Sequence, residues 1–254
     1  MSDGGPDVPA NIILSADAGM LALPDDGIVQ PVVESATARA STPDTRSPAL
    51  STRAVVLVVL AVAALVGQLT PIGERVLPES LSSMANSSGS WAMIVIASVY
   101  FSRLTGWRAA ALALSAFVVM DVCFYAVFDL LGGYYPHHYL TFWVVVAICV
   151  GPLVGLCASW LRSDRPRLQE IAVAAPSAIL VGEGVFMLAR LPGVSVLYSV
   201  ASIVVGVALF AVLAAHFLRR PSRITVSLVT SALAGTAFFA IYNLLPLVLD
   251  KVVP

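Results

Sequence analysis

The sequence predicts an all-α, polytopic transmembrane helix bundle of about seven helices, six being the alternative, with the N-terminus inside and the C-terminus outside. Three observations lead there. Charged residues make up only 11% of the 254 and apolar ones 59%, where a soluble domain carries about 25% charged residues. From Ala54 onward the apolar runs are each about as long as a bilayer requires, roughly 20 residues. The arginines, finally, gather in alternate connections between those runs.

Residues 1–53 precede the bundle as a cytoplasmic tail. They hold six prolines (Pro6, Pro9, Pro24, Pro31, Pro43 and Pro48) with many Asp, Ser and Ala and no sustained apolar period, a composition that reads as disorder. The stretch NIILSADAGMLAL (11–23) is the exception, read either as a sticky disordered segment or as a short interfacial or partner-binding helix. It lacks the basic lead of a signal peptide.

Residues 54–254 form the bundle. Its apolar segments fall at about 54–72, 88–102, 109–131, 139–161, 170–190, 194–218 and 224–249. The second is the weakest, because WAMIVIASVYF must be extended through NSSGS to span, and a re-entrant segment is the alternative. Charge placement favours seven crossings. With the tail inside, eleven of the fourteen Lys and Arg residues lie inside and only Arg75, Arg190 and Lys251 outside; without the second crossing the best split falls to nine against five. The positive-inside rule prefers the first arrangement. Trp91, Trp107, Trp143 and Trp160 lie near expected helix ends, where an amphipathic ring prefers the headgroup layer. GGYYPHHY (132–139) is then an outer loop.

Membrane helices associate through small residues, since lipid tails are as apolar as leucine. Ala147, Gly151, Gly155 and Ser159 recur every four residues, with Pro152 placed to bend the fourth helix. Ser195, Ser199, Ser202 and Gly206 give the sixth a similar face. Gly182 and Gly184 flank Glu183 and point to a close neighbour beside that carboxylate.

Two acids, Asp121 and Glu183, fall inside apolar runs. A charge at the bilayer centre costs several kcal/mol, so such groups turn inward and find partners. Asp121 is ten residues from Leu131, about 15 Å, and Glu183 seven from Arg190, about 10 Å. Asp121, Tyr125 and Asp129 recur at four-residue spacing as a polar stripe. The seventh helix adds Tyr242 and Asn243, and the sixth adds Tyr198 and Ser199. Together these predict a polar cavity open to the outside, with His137 and His138 at its rim. The competing reading is structural: buried carboxyls that hydrogen-bond across helices.

Other chemistry finds little support. The net charge of -1 gives no basic excess for nucleic acid. Cys123, Cys149 and Cys157 lie in apolar runs without metal or haem spacing. NSSGS (86–90) has no histidine at matching depth to serve as a base, and no metalloprotease, nucleotide or dinucleotide motif is present. No catalytic residue, metal or other cofactor is expected, and an enzymatic role stays open without a motif to support it.

The segments ANSSGSWAMIVIASVYFSRLTGWRAAALAL, YLTFWVVVAICVGPLVGLCASWLR and ILVGEGVFML resemble a family of small multi-pass actinobacterial membrane proteins known as a domain of unknown function. The resemblance rests on Asn86, Ser88, Gly89 and Trp91, on Gly151, Pro152 and Gly155, and on Gly182, Glu183 and Gly184. It covers about residues 55–250 and implies fold and membrane location, not a reaction; the plasma membrane is the expected location. The chain also resembles, more loosely, the substrate-capturing subunits of energy-coupling factor transporters. Two functions are therefore expected: a carrier or ligand-binding membrane subunit for a small ligand or proton, or a structural and assembly partner that engages another protein through its tail.

Overall fold

The computed structural model describes residues 51–133, 137–190 and 196–252. The tail through Leu50, with its segment 11–23, lies outside them, as do residues 134–136 of the expected outer loop and the side chains of His137 and His138. The described elements are α1 (Thr52–Val76), α2 (Glu79–Ala85), α3 (Ser88–Ser102), α4 (Gly106–Leu130), α5 (His137–Trp160), α6 (Pro166–Arg190), α7 (Val196–Phe217) and α8 (Pro221–Val252). Seven of these have fifteen residues or more, and no strand is present among the described residues.

Six helices, α1 and α4 to α8, are long and apolar enough to cross a membrane, with mean hydropathy of 1.9 to 2.6 over their best windows. The protein is a multi-pass membrane protein. Large apolar side chains such as Leu57, Leu65, Val204, Val212 and Leu233 cover its exterior, as a surface bathed in lipid requires.

The second segment does not extend through NSSGS as one helix. Ser87 stops it: its backbone is extended, and its hydroxyl accepts the Ser90 N–H at 3.1 Å as an N-cap. What remains is α3, fifteen residues or about 22 Å, against a hydrocarbon core of about 30 Å. Being apolar on every side, α3 goes to the interior, where it packs against α1, α4, α5 and α6.

Two sets of helices surround it. In one, α4 is packed between α1 and α5; in the other, α6 is packed between α7 and α8; α5 and α6 join the sets. Glycine sets the spacing. A Cβ on Gly67 would come within 2.3 Å of the Met120 carbonyl oxygen, one on Gly155 within 2.3 Å of that of Ala109, and one on Gly151 within 2.8 Å of the Leu114 Cα. α5 continues through Pro152. The main core gathers Trp91, Val95, Val99, Met120 and Phe124, and a second cluster joins Leu161, Val173 and Leu218 near the opposite ends.

That second cluster marks an arginine-rich end. Arg162, in the turn between α5 and α6, donates to the carbonyls of Tyr100 and of Leu104, the latter at 3.0 Å, and lies over the Tyr100 ring. Burial holds its pKa below the usual arginine value, with Tyr100 opposing and Arg103 adding to the effect. Arg223 of α8 pairs with Glu170 of α6 at 2.9 Å. At the far end of α1, Glu74 hydrogen-bonds Asn86.

A Gly155→Ala protein tests the closeness of α4 and α5. Alanine ordinarily favours a helix by up to about 1 kcal/mol over glycine, but here its methyl meets backbone, and a net loss of about 1–3 kcal/mol is expected in detergent unfolding. A gain in stability would place α5 further from α4.

Candidate functional site

Glu183 lies on α6 and is 2% exposed. Its carboxylate meets the first turn of α3. Oε2 accepts from the Ser87 hydroxyl at 2.8 Å, the Gly89 N–H at 2.9 Å and the Tyr198 hydroxyl at 3.1 Å, and Oε1 accepts from the Ser88 hydroxyl at 3.0 Å. Tyr198 also reaches Ser87, and the Tyr242 hydroxyl donates to Ser88 at 2.8 Å. A helix N-terminus carries unsatisfied N–H groups and partial positive charge, so an anion is stabilised there. Glu183 supplies that anion.

Glycine makes the approach possible. A Cβ on Gly89 would sit 2.3 Å from Glu183 Oε2. On either side of the carboxylate, Gly182 faces Gly235 and Phe238 of α8, and Gly184 faces Ser199 and Ile203 of α7. The Gly-Glu-Gly run therefore lets two neighbours close on α6 where Glu183 turns toward α3.

Hydrogen bonds join only some of the residues expected to share one cavity. Glu183 and Tyr242 belong to the group just described. Asp121 is buried, 6% exposed, on α4, and no hydrogen bond or ion pair reaches its carboxyl among the described residues. α3 packs on both α4 and α6, and the hydrogen bonds of Glu183 go to α3 and α7. Tyr125 and Asp129 line a second cavity of about 220 Å³ with Val122, Phe128, Gly133 and Leu140, where α4 ends and α5 begins. Asn243 donates back to the Phe239 carbonyl of its own helix at 2.7 Å.

Sequence reasoning missed Ser87, Ser88 and Gly89 as the partners of Glu183. A signal existed in NSSGS, a run of N-cap residues placed before an apolar segment. What the pattern lacks is any mark that its anion lies 94 to 96 residues away.

A larger cavity of about 490 Å³ lies over α6 between α7 and α8, lined by Val181, Gly182, Val185, Val207, Phe210 and Phe239 among others. Both flanking helices pack extensively on α6, whereas among the described residues no comparable packing joins α7 to α8. Its hydroxyls are internally engaged: Ser231 with Ser177 at 3.4 Å, and Thr236 with the Ala232 carbonyl at 2.9 Å. The cleft therefore presents a largely apolar wall. Phe239 contacts Phe186, and Phe186 contacts Tyr242, at ring separations of 6.0 and 5.2 Å. The cleft wall thus touches the Glu183 group. No group of three His, Cys, Asp or Glu side chains suited to a metal ion occurs among the described residues.

A membrane-embedded helical bundle, locked by a buried carboxylate and carrying an apolar cleft, is the class these features define. The chain belongs to a family of unknown function, DUF6518, whose profile matches residues 46–247. No curated protein and no solved structure matches it.

Two substitutions separate the buried acids. Glu183→Leu leaves the α3 donors without an acceptor and is expected to cost about 3–5 kcal/mol, with Glu183→Gln costing less. Asp121→Asn removes no described bond and is expected to cost clearly less than Glu183→Leu. Equal losses in reversible denaturation would overturn this assignment of roles.

Proposed function

We propose that this protein binds a small, largely apolar ligand within the membrane, namely an acyl or isoprenoid chain drawn from the surrounding lipid into the cleft between α7 and α8. One observation carries the reading: two spanning helices each pack on α6 without closing on one another, leaving about 490 Å³ between them. That volume lies in the range of sites for small molecules, and such sites are mostly apolar. The cleft is formed by segments with the hydropathy of membrane spans, so its opening meets acyl chains rather than water.

The Glu183 group supports the cleft rather than receiving the ligand. Its carboxylate already has four donors, which leaves little room for a polar guest. This favours ligand binding over the polar-solute cavity that the sequence suggests. The protein then resides in the plasma membrane, with the arginine-rich end in the cytoplasm according to the positive-inside rule.

Photolabelling tests the proposal. Full-length protein in vesicles containing a lipid with a diazirine on its acyl chain is irradiated, and the adducts are mapped by mass spectrometry. Adducts concentrated on Val185, Val207 and Phe239 are expected, and Ala232→Phe with Thr236→Trp, which fill the cleft, should remove most of them. Labelling spread evenly over α1, α5, α7 and α8, unchanged in the filled variant, would refute the ligand site.

A further inference from the structure

Two arginines at one end of the bundle are engaged internally. Arg162 joins the α5–α6 turn to the end of α3 through Tyr100 and Leu104. Arg223 joins the start of α8 to α6, donating to Glu170, to Gln169 at 3.0 Å and to the Pro166 carbonyl at 3.1 Å. These bonds tie the α3–α4, α5–α6 and α7–α8 turns into one platform.

From the same turns project Arg103, Arg108, Arg165, Arg167, Arg219 and Arg220, all exposed. Asp164 is the one exposed acid among the described residues of these turns, while Glu170 is already paired. The Arg108 guanidinium lies 5.7 Å from the centre of the Trp107 ring, and Trp107 is 75% exposed, an aromatic placed where spanning segments meet the headgroup layer.

Arg103, Arg219 and Arg220 lie at the ends of α3 and α7, where a cation suits the helix, but Arg108 and Arg167 do not. α4 and α6 begin here with no acid in their first turns, yet Arg108 and Arg167 occupy those turns. A positive helix end disfavours a nearby cation, and arginines on neighbouring turns repel one another. The arrangement becomes favourable once an anion arrives, because guanidinium groups bind phosphate in a bidentate manner. These turns end helices that cross the hydrocarbon layer, so lipid phosphates lie at their level.

We propose that this platform binds the phosphate headgroups of anionic lipids, with Arg165, Arg167, Arg219 and Arg220 making the principal contact. The proposal is independent of the cleft between α7 and α8. It assigns the platform to whichever leaflet carries the anionic lipid.

Native mass spectrometry of the full-length protein, released from detergent with added phosphatidylglycerol or phosphatidylcholine of matched acyl chains, tests it. At least tenfold stronger retention of phosphatidylglycerol is expected, falling as salt is raised. Replacing the four arginines by Gln abolishes the preference, replacing them by Lys keeps it in weakened form because the charge stays and the bidentate geometry is lost, and Arg75→Gln with Arg190→Gln at the opposite end leaves it unchanged. No preference in the unmodified protein, or a preference that survives the four Gln substitutions, overturns the proposal. Displacement of the lipid by millimolar inorganic phosphate overturns it as well, in favour of a site for the free ion.

Discussion

The bundle depends on how the two ends of α3 are neutralised. A fifteen-residue helix packed among four others leaves N–H groups at its buried start and C=O groups at its end without partners in the helix, and inside the bundle protein must satisfy them. Glu183 does so at the N-terminus with a carboxylate, and Arg162 at the C-terminus with a guanidinium. Each charge opposes the sign of the helix end it meets. Both side chains thus sit where backbone dipoles of the complementary sign face them.

α6 is the element through which this arrangement reaches the rest of the fold. Near its start Glu170 takes Arg223 from α8, and the Glu170 carbonyl accepts from Ser227. Toward its end Glu183 takes α3, while Gly182 and Gly184 admit α8 and α7. Ser202 of α7 donates to the Leu180 carbonyl between them. Polar contacts therefore sit at intervals along one helix, with close-packed small residues between. Membrane helices that gain little from apolar burial against lipid are expected to associate in this way.

The class of fold was readable in the sequence because hydropathy and helix length are local properties, and six of the seven expected segments have the length and apolarity of spans. The second segment was harder. Its N-cap at Ser87 reads locally, but nothing local tells whether the preceding residues continue a helix or break into α2 and a turn. Among the acids, depth was readable and partnership was not. Asp121 and Glu183 look alike as carboxyls in apolar runs, and what separates them is a contact across more than ninety residues. Asn243, polar and near a helix end, bonds to its own backbone, an outcome that spacing does not distinguish from a bond across helices.

The attachment of α8 has a mechanical consequence. Arg223 fixes it at one end and Tyr242 at the other, while the stretch between carries small side chains such as Ser231, Ala232 and Gly235 along the gap toward α7. It resembles a beam clamped at both supports. Between the clamps Ser231 and Gly235 also rest against α6, so the width of the gap is set by how far α7 and α8 lean apart on that shared support.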